Sequence, residues 1–231
     1  MDWTPAELTA LWLSLKVASV GVLVSLPFGL AAAWLLARRR FPGKLLLDGL
    51  IHLPLIVPPV ATGYVLLLLL GRRGGLGDWL YRDLGISLAF TWKGAALVAA
   101  IMGFPLLVRA VRLSLEAMDQ GLEAAARTLG ASPLRVFLTI TLPIISPGLL
   151  TGALLAFARA LGEFGATIAF VGNIPGETQT LPLALYSALQ SPEGDQIGLR
   201  IVVLSVTLAI AALAASEIAG RILRRRLTGA W

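Results

Sequence analysis

The chain holds 231 residues, 57% of them hydrophobic and only 14% charged, with a formal net charge of +6 and a mean hydropathy of +0.84. Soluble domains are roughly a quarter charged, so this composition describes a membrane protein, and the basic residues gather at the ends of apolar runs, where they meet the membrane surface and not nucleic acid. The absence of cysteine excludes disulfides, thiolate metal sites and cysteine nucleophiles, and a single histidine, His52, with no H-E-x-x-H motif excludes a histidine metal centre.

A bilayer core about 30 Å thick needs about 20 helical residues at about 1.5 Å each. Five runs meet that length closely enough to predict spans at 17–37, 49–70, 88–108, 144–169 and 201–216 within one domain, 1–231. The first span carries no charge; Lys16 sits at its outer end, where a long side chain reaches the headgroups, and Arg38, Arg39 and Arg40 close it. Residues 1–10 hold Asp2 and Glu7 but no Lys or Arg, so the first run is expected to be a permanent span and not a removable leader. His52, just inside the second span, is expected to hydrogen-bond at a helix interface.

Orientation follows from where Lys and Arg collect. With the N-terminus outside, the inward segments hold Arg38, Arg39, Arg40, Lys44, Arg109, Arg112, Arg127, Arg135, Arg221, Arg224, Arg225 and Arg226. The outward ones hold Lys16, Arg72, Arg73, Arg82, Lys93 and Arg200. This two-to-one bias predicts a multi-pass inner-membrane protein with its N-terminus outside and its C-terminus in the cytoplasm. Interior prolines at 27, 54, 58, 59, 105 and 147 predict kinks whose freed carbonyls must be satisfied by neighbouring helices.

Residues 109–142 are too polar to lie in lipid and form the expected cytoplasmic loop. Arg109, Arg112, Glu116, Asp119, Glu123 and Arg127 recur at helical spacing, with a break expected at Asp119-Gln120-Gly121. Asp119 is suited to cap a short helix in which Glu123 and Arg127 pair at i,i+4, and Gly130 is suited to end it in the left-handed conformation. Ser132 and Pro133 then start the next helix. The segment Glu123, Ala124, Ala125, Ala126, Arg127, Thr128, Leu129 and Gly130 thus forms a narrow, small-residue rod. Two readings stay open from physics alone: a docking element for another protein, or an amphipathic helix lying on the headgroups.

Within the fourth span Arg159 and Glu163 lie four apart. Charges at that depth face a bundle interior or an aqueous cavity and find each other, so Arg159 and Glu163, with Thr167, are candidates for lining a translocation path, against the alternative of a neutralising pair that fixes packing. Thr62, Thr167 and Ser146 suit helix–helix hydrogen bonding. After Gly172 an outer segment with Glu177, Glu193 and Asp195 suits an extracytoplasmic partner, and its apolar piece 181–189 is too short to span. No nucleophile–base pair or paired carboxylates occur at depth, which argues against a catalytic site. No G-x-x-x-x-G-K-[ST] loop occurs either.

The run E-A-A-A-R-T-L-G-A-S-P-L-R-V-F-L-T-I-T-L-P, residues 123–143, resembles the cytoplasmic signature of permease subunits from binding-protein-dependent ABC importers. With the signature glycine on Gly130, Ile140, Leu142 and Pro143 fall in place, while its glutamate falls on Ala124, one residue past Glu123. The resemblance implies an all-α integral membrane protein of the type I ABC importer fold, about five transmembrane helices, and a coupling helix on residues 123–130. R-A-L-G-E-F-G-A-T (159–167), G-N-I-P-G-E-T-Q-T-L-P-L-A-L-Y (172–186), F-P-G-K-L-L-L-D (41–48) and H-L-P-L-I-V-P-P-V (52–60) are similar to molybdate permeases, with sulfate and thiosulfate permeases sharing much of the G-E-F-G region. What this implies is a homodimer of a non-catalytic chain with no cofactor of its own. Two ATPase subunits would bind ATP and Mg²⁺, and a periplasmic or lipid-anchored binding protein would deliver molybdate or tungstate. A stand-alone ion-driven transporter is the rival class, with Glu163 as its one deep acid.

Overall fold

The computed structural model describes residues 3–192 and 194–228, with backbone alone for 216, 217, 219 and 221–228, and within them the ordered elements are all helical. Glu193 therefore lies outside the described residues, as do the side chains of Arg221, Arg224, Arg225 and Arg226. Four helices are long and apolar enough to cross a membrane, and a bent pair makes up to five.

The first, α1 (Pro5–Arg38), begins well before residue 17. Thr4 and Glu7 form a reciprocal capping box around Pro5: the Glu7 amide donates to Thr4 Oγ1 and the Thr4 amide donates to Glu7 Oε2 at 2.7 Å. Its charges are partnered and do not end the helix. Glu7, 3% exposed, pairs with Arg200 at 3.1 Å. Lys16 Nζ lies 3.6 Å from the centre of the Trp92 ring, a cation–π contact with the start of α5.

The expected continuous span 49–70 is broken. It forms α2 (Lys44–Ile56) and α3 (Pro59–Leu70), bent by 113°. Pro58 and Pro59 have no amide to donate, each disfavours helical backbone in the residue before it, and Val57 is extended. Pro59, at the first turn of α3, is compatible with a helix start. A helix absent from the sequence expectations, α4 (Gly75–Leu84), follows, with Trp79 and Tyr81 exposed as at a membrane–water boundary.

At the centre lies α5 (Trp92–Ala117), packed between α1 and the later span. It runs past 108, so Arg109, Arg112 and Glu116 belong to this helix, and the link to the next helix starts at Met118 and not at residue 109. Between Leu106 and Ala117 there is neither glycine nor proline to stop it. Close approach explains the small residues along it: a Cβ on Gly21 of α1 would sit 2.8 Å from the Ala96 carbonyl oxygen.

Next come α6 (Gln120–Thr128), α7 (Pro133–Val136), a π-helical turn (Phe137–Thr141) and α8 (Leu142–Leu161). The fourth span is therefore 133–161 and not 144–169. The chain breaks at Gly162 and resumes as α9 (Gly165–Val171), then α10 (Leu181–Leu189), too short to span. The last helix, α11 (Gly194–Thr228), contains 201–216 and extends it at both ends.

Candidate functional site

The segment 119–135 is built by three local caps. Asp119 Oδ1 accepts the Gly121 amide at 2.8 Å and starts α6. Gly130, at φ +83°, ends it, with its amide donating to the Arg127 carbonyl at 3.0 Å and the Ala131 amide to the Ala126 carbonyl at 3.1 Å, a Schellman arrangement. Ser132 Oγ accepts the Arg135 amide at 3.4 Å and starts α7 at Pro133.

No residue of α6 is buried. Ala124, Ala125, Arg127, Thr128, Leu129 and Gly130 are exposed, Leu129 at 88%, while Glu123 and Ala126 are half-buried toward the body of the protein. The expected Glu123–Arg127 pair does not form. Glu123 Oε1 instead accepts from Thr141 Oγ1 at 2.7 Å and from Arg38 Nη2 at 3.4 Å. The reason is geometric: Thr141 of the π-helical turn and Arg38 at the end of α1 lie within reach of the Glu123 carboxylate, whereas Arg127, one turn along the same face, stays exposed at the edge of the groove. The sequence placed Arg38 only in the basic cluster that closes the first span and gave no role to Thr141, which stands at an unspecified position of the signature.

A second group surrounds the break after α8. Arg159 Nη1 and Glu163 Oε2 are 2.6 Å apart, and Glu163 Oε1 accepts the Ala166 amide at 2.8 Å. Glu163 and Thr167 are buried, and Arg159 is partly open. Of the three candidates, Arg159 and Glu163 pair at the end of α8, while Thr167 lies beyond the helix break, buried within α9. Glu163 has one oxygen on a cation and the other on the start of α9. The break abuts that of the second span: α3 packs on α9, Gly165 meets Pro59, and Gly63 lies against Ala166 so closely that a Cβ would approach its carbonyl oxygen to 2.4 Å. A mostly apolar cavity of about 590 Å³ lies beside it between α8, α10 and α11, lined by Gly162, Leu161, Leu185 and Ser205 among others and by none of Arg159, Glu163 or Thr167.

A third group joins α2 to α5. His52 Nδ1 is 2.9 Å from the Asp48 carbonyl and 3.2 Å from its Oδ1; Asp48 Oδ2 accepts from Arg112 Nη1 at 2.9 Å; Arg112 Nε donates to Glu116 at 2.8 Å. The two pairs within helices are four residues apart, and the Asp48–Arg112 contact bridges the helices. In the outer segment Glu177 turns inward, its Oε1 accepting the Trp92 amide at 3.3 Å at the start of α5.

A family model for the "binding-protein-dependent transport system inner membrane component" matches residues 25–229. The chain belongs to this family. These binding-protein-dependent inner membrane components include the molybdenum transport system permease protein ModB of Escherichia coli (strain K12), 57% identical over 226 residues, 98% of this chain and 99% of that protein. ModB of Haemophilus influenzae is 52% identical over 221 residues, 96% of each chain. The sulfate transport system permease protein CysW of a Synechocystis strain is 38% identical over 210 residues, 91% of this chain and 75% of that one. In fold, the chain matches the alginate ABC transporter of a bacterium, with a TM-score of 0.74 at 15% identity over 95% of this chain and 80% of that one. It also matches the MetNI methionine ABC transporter, with a TM-score of 0.69 at 18% identity over 93% and 94%. The fold is that of a type I ABC importer permease.

Proposed function

We propose that this chain is the membrane-spanning subunit of an ATP-driven importer for molybdate or tungstate, working as a homodimer with two ATPase subunits inside and a periplasmic or lipid-anchored binding protein outside. The observation that carries the reading is α6: a capped, nine-residue helix that buries none of its own residues and stands off the membrane helices. Such an element has almost no apolar packing of its own and is shaped to seat in a cleft of a partner. ATP and Mg²⁺ would bind the partner ATPase, since the chain carries no phosphate-binding loop. Closure of the ATPase dimer would move α6, and α6 would move the spans to open the path outward; hydrolysis would reset them.

The choice of molybdate over sulfate rests on the relatives: both ModB proteins exceed 50% identity, against 38% for the sulfate permease. The geometry at the break suits passage and release. Glu163 is neutralised by Arg159 and holds a helix start, so it offers an oxyanion neither a tight site nor a bare repulsive charge. It is equally ill placed to be the free proton-coupling acid of an ion-driven transporter. The proposed orientation places the N-terminus outside and α6 in the cytoplasm.

The test is uptake of labelled molybdate, against labelled sulfate, into proteoliposomes holding the complete complex, with and without ATP, for the natural chain and Gly130→Val. At φ +83° an L side chain costs about 1–2 kcal/mol, while no atom lies within 4 Å of the position a Cβ would take. The variant should therefore insert and fold yet mis-shape the end of α6. The expected result is ATP-dependent uptake that prefers molybdate and falls about tenfold in Gly130→Val. Oxyanion transport by the purified chain alone, or full-rate uptake in the variant, would overturn the reading.

A further inference from the structure

The tether between α6 and the membrane helices is where the structure says more than the comparisons do. Because α6 buries no residue, a push from a partner cannot travel through a packed apolar face; it packs mainly on α7 and the π-helical turn. On its far side a groove of about 650 Å³ separates α6 from the inner half of α1, walled by Leu30, Trp34, Arg127 and Phe137 among others. Glu123 and Thr141 both line that groove, and their 2.7 Å hydrogen bond ties α6 to the π-helical turn at its wall, while the 3.4 Å contact of Glu123 with Arg38 reaches the end of α1.

The surroundings make the link firm. Thr141 is buried, and the Arg38 and Glu123 side chains are 11% and 17% exposed. Arg38 Nε is buried with no hydrogen-bond partner, so its Nη2 contact with Glu123 is the one that answers its charge. Removing the carboxylate would strand a largely buried guanidinium and a buried hydroxyl together.

The partners of Glu123 sit where a displacement has reach. Thr141 is the last residue of the π-helical turn, a wide turn that precedes Pro143, whose ring an ordinary helix would press against the carbonyl of Thr139. From there α8 runs 20 residues, about 30 Å, to the break that Glu163 caps. Arg38 lies in the last turn of α1, whose other end is held to α11 by Glu7 and Arg200.

We propose that Glu123 is a positioning residue that, with Thr141 and Arg38, forms a latch carrying the motion of α6 into α8 and α1. This rests on the reading of α6 as the element driven by the ATPase, and it adds the route by which the drive leaves it. The Glu123 carboxylate faces inward, so its function is to grip this chain and not the partner.

The test uses the complete complex in proteoliposomes with the variants Thr141→Val, Thr141→Ser and Glu123→Gln. Three quantities are read: molybdate uptake, the rise in ATP hydrolysis when loaded binding protein is added, and the amount of ATPase subunit that co-purifies. Thr141→Val keeps the shape and deletes the donor; Thr141→Ser restores the donor; Glu123→Gln keeps an acceptor and deletes the charge. The expected result is a fall in uptake of about tenfold in Thr141→Val and Glu123→Gln, with the stimulation of hydrolysis lost, co-purification unchanged, and Thr141→Ser close to the natural chain. Normal uptake and stimulation in Thr141→Val and Glu123→Gln would overturn the latch, as would a Thr141→Ser variant as defective as the valine. The two readings fail separately: an ATPase subunit that does not co-purify with the natural chain removes the importer reading, whereas an uncoupled Gly130→Val beside a normal Thr141→Val removes the latch alone.

Discussion

Glu163 shows how much a single carboxylate holds in this protein. At 3% exposure it is paired with Arg159 at 2.6 Å and oriented by the Ala166 amide at 2.8 Å. Truncation to alanine strips both, leaving a charged guanidinium near the break and an uncapped start to α9. A broken buried pair costs about 3–5 kcal/mol, discounted here because Arg159 is partly open to solvent. Glu163→Ala should therefore cost about 2–3 kcal/mol and Glu163→Gln, which still accepts from Ala166, about 1 kcal/mol. Thermal unfolding of the detergent-solubilised complex checks the order; equal midpoints for the two variants would show that the cap carries no weight. The spacing of Arg159 and Glu163 was legible as a pair. That Glu163 holds a chain break was not, because Gly162 reads in sequence as one more small residue in a membrane helix. Glu123 carries the same lesson: its nearest cation in sequence is Arg127, but helix α6 turns it toward Arg38, which is 85 residues away.

Among the elements, the two interrupted spans decide the interior. The second is interrupted by adjacent prolines, the fourth by Gly162, and α3 and α9 pack on each other at contact distance. Gly63 and Gly49 make a matched comparison. A Cβ on Gly63 would come within 2.8 Å of the Ala166 Cα as well as its carbonyl, whereas one on Gly49 would meet nothing within 4 Å. Gly63→Ala should destabilise by about 1–3 kcal/mol through overpacking, and Gly49→Ala, inside α2, should stabilise by up to about 1 kcal/mol. Unfolding midpoints of the two variants that move in the same direction would contradict this packing. Of the prolines expected to kink the spans, Pro58 and Pro59 mark a bend, while Pro27, Pro54, Pro105 and Pro147 lie within helices. The 113° turn between α2 and α3 was not readable in advance, since a proline frees a helix to bend and the neighbours choose the angle.

For the whole molecule, the charge bias, the bundle and the position of α6 describe one arrangement: α1, α5 and α8 form the packed centre, while α2, α3 and α11 show much of their apolar surface outward, toward lipid or a second copy. A chain with no cysteine lends itself to checking the proposed orientation. Thr128→Cys, exposed on α6, should react with an impermeant maleimide only when the cytoplasmic face is open to it, and Gln190→Cys, exposed after α10, only from outside. The reverse pattern would invert the topology and remove α6 from any ATPase.

The amino-acid order was enough to establish a helical membrane bundle, the caps at Asp119, Gly130 and Ser132, and the small rod between them, because hydropathy over about 20 residues and capping chemistry within four are local properties of a chain. Only the packed molecule settled that the second and fourth spans break against each other, and that Glu123 grips Thr141 and Arg38. Those features depend on groups brought together from distant parts of the chain. In a low-dielectric interior a charge goes to whichever partner the packing supplies, whatever their separation in sequence.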